Sequence, residues 1–328
     1  MRLYRYLLIL AAGLALVVVG LGAWVRLSDA GLGCPDWPGC YGHLLGVPEH
    51  AADSAKAWKE MTHRYAAASL GLVILGICQL AWRQRPQISP LLPTALAGIV
   101  FFQALLGMWT VTLLLKPLVV SAHLLGGMTT LALLVWLNLR QHSRPPGPTA
   151  SPGLRAGGLL GLALLVMQIA LGGWVSSNYA ALACADFPTC QGRWLPAMDF
   201  AEAFTVHREL GQTAAGSLLS TSALTAIHWG HRLGALFILL TVGSLGLALL
   251  RRPAWRAWGG LLLALLALQI GLGIANVLLA LPLPLAVAHN VGAALLLSAT
   301  LALNFRLWDG VQAMRRRSGK PMTLVLGE

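Results

Sequence analysis

Apolar residues dominate eight stretches of the chain, at about 6–26, 57–81, 92–115, 118–139, 156–176, 223–250, 258–281 and 284–306. Each approaches or exceeds the roughly 20 residues needed to cross the hydrocarbon core of a bilayer. Backbone exposed to lipid must satisfy its own hydrogen bonds, so all eight stretches should be helices. The predicted fold is therefore all-α and polytopic, with eight transmembrane helices.

The pattern repeats. Gly22-Ala23-Trp24-Val25, followed by Cys34-Pro35-Asp36-Trp37-Pro38-Gly39-Cys40, reappears 150 positions later (22 to 172) as Gly172-Gly173-Trp174-Val175, followed by Cys184-Ala185-Asp186-Phe187-Pro188-Thr189-Cys190. His63-Arg64 matches His231-Arg232 at an offset of 168, and Gln103, Gly107 and His123 match Gln269, Gly273 and His289 at 166. The second cysteine loop is thus about 18 residues longer than the first (150 against 168). A duplication of this kind fixes the architecture as two tandem, pseudo-symmetric four-helix bundles. With an even number of spans per copy, both copies enter the membrane in the same direction. The predicted division is an N-terminal bundle over 1–140, a linker over 141–155, a C-terminal bundle over 156–310 and a basic tail over 311–328. The first span, which resembles a signal peptide, is expected to stay because it corresponds to span five.

Composition sharpens this picture: 57% of residues are hydrophobic, 10% are charged and mean hydropathy is +0.71. A net charge of +12 could suggest nucleic acid, but the basic residues are distributed as a topology signal. Arg2, Arg5, Arg83, Arg85, Arg140, Arg144, Arg155, Arg251, Arg252, Arg256, Arg306, the Arg315-Arg316-Arg317 run and Lys320 fall on one side. All acidic residues except Asp309 and Glu328 fall on the other. The basic side should be cytoplasmic, with both termini, and the cysteine loops should lie outside. No nucleic-acid partner is expected.

Candidate chemistry lies in the spans. Glu60 and His63 are three residues apart, on one helix face, within an apolar segment where ionisable groups mark function. His63, His123, His231 and His289 enter alternate spans about five to eight residues from the outer end, or roughly 8–12 Å deep at 1.5 Å per residue. Two facing imidazole pairs, His63 with His123 and His231 with His289, suit two haem irons. The competing reading is interhelical hydrogen bonding; a zinc or copper site lacks carboxylate or thiolate neighbours at ligand spacing. The copies differ at Glu60, whose counterpart is His228. Only the carboxylate can hold a developing positive charge, so the first half looks reactive and the second a redox reservoir. The competing reading of Glu60 is a structural partner for Lys56 or Arg64.

Arg64 and Arg232 would reach haem propionates or snorkel to the interface. Cys34 with Cys40, and Cys184 with Cys190, are disulfide candidates outside the membrane, either as clips over the pockets or as redox-active thiol pairs. Gln103, Gln269, Thr110 and Asn276 read first as interhelical hydrogen-bonding groups.

The stretch from Gly22 to Pro38, Glu60-x-x-His63-Arg64, Ser121-Ala122-His123 and the duplicated plan resemble the haem A synthase family, over about residues 7–306. The resemblance implies an enzyme of a bacterial plasma membrane that oxidises the C8 methyl of haem O to the formyl group of haem A, for terminal oxidases. It implies haem b on His231 and His289, haem O between His63 and His123, a catalytic Glu60 and a disulfide at Cys34 and Cys40. Haem O synthase is a candidate partner, beside an unnamed electron donor and membrane lipid. The alternative is a di-haem b-type electron carrier that exchanges electrons with quinone.

Overall fold

A computed structural model describes residues 2–49, 51–141 and 148–317, with side chains up to 309. The chain is helical throughout, with only isolated bridges at Cys40 with His43, Cys190 with Arg193 and Gln212 with Leu218 among the described residues. The helices are α1 (Arg2–Leu27), α2 (Ser54–Arg83), α3 (Leu91–Thr112), α4 (Pro117–Gln141), α5 (Pro152–Ser177), the short α6 (Phe200–Ala203), α7 (Thr221–Leu250), α8 (Arg256–Leu278) and α9 (Leu283–Arg317). All but α6 are long and apolar enough to cross a membrane, which makes eight spans. The protein is a multi-pass membrane protein, as the apolar pattern predicts. The expected tail, 311–328, lies outside the residues described with side chains.

Local sequence sets the helix starts. Asp53 accepts from the Lys56 amide ahead of α2, Ser151 from Leu154 ahead of α5, with Pro152 in the first turn, and Ser220 from Ala223 ahead of α7. Each side chain satisfies an amide that the helix itself leaves open.

Packing then closes two rings. α1 packs on α2 and α4, and α3 packs on the same two helices, so α2 and α4 stand on one diagonal. α5 and α8 likewise both pack on α7 and α9. Inside each ring a matched asparagine ties two helices: Asn138 Nδ2 of α4 donates to the Leu8 carbonyl of α1, and Asn304 Nδ2 of α9 to the Gly158 carbonyl of α5, both at 2.9 Å.

The rings meet along α1, α4, α5 and α9. At the end bearing the cysteine loops this seam is polar. Arg26 donates to the Ser176 carbonyl at 2.6 Å and lies over the Tyr179 ring, Tyr179 donates to Asp29 at 3.0 Å, and the Ser121 and Ser177 hydroxyls meet at 3.2 Å. At the opposite end the seam is apolar, with Trp136 of α4 edge-on to Phe305 of α9.

Candidate haem pockets and their cysteine loops

Each of the four histidines rests against a glycine on the neighbouring helix. A Cβ added at Gly22 would stand 3.0 Å from Cε1 of His63, at Gly107 3.4 Å from that of His123, at Gly172 3.2 Å from that of His231 and at Gly273 3.2 Å from that of His289. The absence of a side chain at these positions leaves room for the Cε1 edge of the imidazole against the next helix. The contact is alike in both rings, at 3.0–3.4 Å in the first and 3.2 Å in the second.

In the first ring, His63 on α2 and His123 on α4 face each other across the diagonal, with ring centres 6.5 Å apart and planes at 83°. Their Nδ1 atoms, like that of His289, are buried with no hydrogen-bond partner. Two imidazoles that each bind one metal ion through a nitrogen at about 2 Å have ring centres roughly 6 Å apart, so the pair fits a shared metal. No group of three or more His, Cys, Asp or Glu side chains that could hold a bare ion occurs among the described residues. A macrocycle that supplies its own four nitrogens and needs only two axial ligands suits this donor set.

In the second ring, His289 receives the Gln269 amide, which reaches the His289 carbonyl at 3.0 Å and Nε2 at 3.3 Å. Gln103 packs against Gly126 of α4, as Gln269 packs against Gly292 of α9, so these glutamines join helices as the sequence suggests. One partner escaped that reading. Gln168 of α5 places its amide nitrogen 3.1 Å from Nδ1 of His231 and 3.0 Å from the His231 carbonyl. Its counterpart at the 150 offset is Val18, and comparing the two copies at that position would have singled it out.

Glu60 is buried, and both its oxygens are engaged. Oε2 accepts from the Cys34 amide at 2.9 Å and Oε1 from Arg64 Nη2 at 2.5 Å. Arg64 Nη1 also meets the carbonyls of Asp36 and Gly39, so the pair holds the first cysteine loop to α2. Lys56, the other partner considered for Glu60, stands 3.9 Å from Asp53. Arg232 does the same work in the second half through the carbonyls of Thr189, Cys184 and Asp186 at 2.8–2.9 Å. Both guanidinium groups thus spend most of their donors on loop carbonyls. In place of Glu60, His228 takes the Cys184 amide at Nδ1 and Arg232 Nε at Nε2, each at 3.3 Å.

The loops themselves are closed by disulfides, Cys34 with Cys40 and Cys184 with Cys190. Each contains an aspartate whose carboxylate gathers amides across the turn: Asp36 from Tyr41 and Gly42, Asp186 from Gln191 and Gly192. The Thr189 hydroxyl, then the Gly192 and Gln191 amides, hold the Asp186 carboxyl down at about 2. For Asp36, burial pushes upward, but the Gly42 and Tyr41 amides and the charge of Arg64 outweigh it and keep the group below its usual range.

Two facing imidazoles in a ring of membrane helices, capped by a disulfide loop that a buried carboxylate ties down, define a polytopic membrane protein with a candidate haem site. A model of the cytochrome oxidase assembly protein family, COX15-CtaA, matches residues 5–301, and the chain belongs to that family. It is similar to the heme A synthase of Shewanella oneidensis, at 42% identity over 89% of this chain and 93% of that protein. It is also similar to the heme A synthases of Methylobacterium radiotolerans, at 30% identity over 88% of this chain and 85% of that protein, and Halalkalibacterium halodurans, at 29% over 66% and 72%.

Proposed function

We propose that the protein is a haem A synthase, an oxidoreductase that converts the C8 methyl of haem O to the formyl group of haem A. Family membership and the named relatives support the activity. The observation that carries the assignment of the site is the His63 and His123 pair, 6.5 Å between ring centres, under a loop anchored by Glu60. In this reading the first ring, 1–140, takes haem O as substrate between those imidazoles. The second ring, 156–310, joined to it by the linker 141–155 as a pseudo-symmetric copy, holds haem b between His231 and His289. His231 and His289 would hold haem b there, and it would supply one-electron transfer.

The residues of the chain then have distinct roles. His63 and His123 orient the substrate ring and fix its depth. Glu60 provides negative charge one helical turn from His63, where it stabilises positive charge that develops on the substrate and accepts a proton from attacking water. Arg64 and Arg232 bring positive charge to the loop end of each pocket, where haem carboxylates face water, while holding the loops closed. The cysteine loops face outward and both termini face the cytoplasm of a bacterial plasma membrane, as the charge distribution favours. Haem O synthase as the source of substrate and an external electron acceptor, which takes the two electrons released in each oxidation of the methyl by water, complete the scheme.

Membranes with and without the protein, supplied with haem O, test this by extraction and mass analysis of their haems. A formyl-bearing haem that depends on the protein is expected. Unchanged haem O together with reducible b-type spectra would assign the four histidines to electron carriage instead.

A further inference from the structure

Three of the four histidines share a second contact that the fourth lacks. Gln103 stands four residues before Gly107, Gln168 before Gly172 and Gln269 before Gly273, so each glutamine lies one helical turn from the glycine that meets a histidine. On the histidine helices, Gly126, Gly234 and Gly292 follow His123, His231 and His289 by three. The two sets meet. A Cβ built at Gly126 would run into the Gln103 amide, one at Gly234 into that of Gln168 and one at Gly292 into that of Gln269.

In the second ring the seated amide ties back to the histidine. Gln168 Nε2 donates to the His231 carbonyl and Gln269 Nε2 to the His289 carbonyl, each at 3.0 Å. The same nitrogen lies 3.1 Å from Nδ1 of His231 and 3.3 Å from Nε2 of His289. Oε1 of both glutamines is buried with no partner, which leaves an acceptor for the ring N–H that a metal-bound imidazole carries. In the first ring Gln103 fills the equivalent notch below His123.

His63 departs from the pattern at two positions at once. Val18 stands four residues before Gly22, and Ala66 follows His63 by three. Valine offers no side-chain hydrogen bond, so what His63 meets there is the Val18 backbone. Ala66 carries the methyl for which its counterpart Gly234 has no room. The changes belong together: the glutamine needs the glycine, and without the glutamine an alanine occupies the space. An imidazole tied through a neighbouring side chain resists leaving its metal, and an untied one leaves more readily. A resident haem keeps both ligands, whereas a substrate haem has to depart after turnover, which requires at least one imidazole to come off.

We propose that His63 is the releasable ligand of the first half and His123 its fixed one, with Gln103, Gln168 and Gln269 as positioning residues that hold the other three imidazoles. Val18 and Ala66 together leave His63 free to swing. The proposal rests on the reading of the histidine pairs as haem sites.

Carbon monoxide gives the readout, because it binds a ferrous haem with two axial imidazoles only after one has come off. At saturating gas its rate is that of imidazole release. Full-length protein with His231→Ala and His289→Ala, loaded with protohaem and reduced, isolates the first half; His63→Ala with His123→Ala isolates the second. The first half should react at least about tenfold faster than the second, the usual size of an outer-shell effect on a metal ligand. Val18→Gln with Ala66→Gly copies the second half into the first and should slow it toward the second half's rate. Gln168→Val with Gly234→Ala makes the opposite exchange and should quicken the second half. Equal rates in the two halves overturn the proposal. So do rates that ignore both exchanges while thermal unfolding shifts, since the glutamines then only join helices. In the first-half protein, His63→Ala should keep the haem with a five-coordinate, high-spin spectrum and His123→Ala should lose it; the reverse result makes His123 the leaving ligand and refutes the assignment. Haem binding indifferent to all four histidines would instead sink the haem reading itself, and the releasable ligand with it.

Discussion

The two cysteine loops are built alike and tied down differently. In the first, Glu60 takes the Cys34 amide on one oxygen and Arg64 on the other. In the second, His228 presents its two ring nitrogens to the Cys184 amide and Arg232. A carboxylate accepts at both oxygens; a neutral imidazole has one acceptor nitrogen, so one of the two contacts in the second half is not a full hydrogen bond. The distances follow, at 2.5–2.9 Å against 3.3 Å. The half assigned to chemistry thus has a charged, doubly satisfied anchor, and the half assigned to a resident haem a neutral one. Gln168 reverses the balance one layer deeper, by restraining His231 where the first half offers only Val18. The first half has the shorter bonds at its loop, the second the side-chain partner at its histidine.

The sharpest way to break this comparison is to remove the ligands. His231→Ala or His289→Ala should eliminate the resident haem, read in reduced-minus-oxidised spectra; retention of full absorbance would end the division of labour between the halves. Next in size, Glu60→Ala should keep that haem yet stop product formation, and it should destabilise the protein by about 3 kcal/mol because Arg64 loses its opposite charge in a mostly buried position. Unchanged haem A formation would reduce Glu60 to a loop anchor. Replacing both cysteines of either loop by serine should cost about 2 kcal/mol in each half, the entropy of closing a short loop, measured by thermal unfolding. A loss of turnover confined to the first pair, at equal stability, would mark Cys34 and Cys40 as more than clips.

Smaller effects sharpen it further. Gly22→Ala should cost about 1–2 kcal/mol by pressing on His63, and Gly107→Ala less, in the order of the space each glycine leaves. Acid should act on the loops last. The Asp186 carboxyl is depressed to about 2, below the roughly 3.9 of an unfolded chain. Its contribution is therefore complete above about pH 4 and is lost as pH falls toward 2. Protection of the Gln191 and Gly192 amides, taken relative to their intrinsic exchange rates, should fall in that window, and unchanged protection there would deny the carboxylate its role in the turn.

Much of this was legible in the chain. Hydropathy alone located the eight spans, because lipid allows few alternatives to a helix. The matched offsets located the histidines, and the structure brings His63 and His123 within reach of one metal. What the sequence could not carry was the allocation of hydrogen bonds. Arg64 and Arg232 are one residue past a histidine whatever they bind, and only the folded loops show carbonyls filling their donors. Glu60 was visible as an anomaly, but its hold on the Cys34 amide depends on how the loop folds back over α2.

The seam between the rings has a wet edge and a dry spine. Arg26, Asp29, Tyr179, Lys116 and Glu209 gather at one end, while Trp136 and Phe305 meet at the other. Ionic strength screens the exposed pairs and leaves apolar contacts untouched, so salt loosens the rim of this joint while its spine keeps the two rings in register.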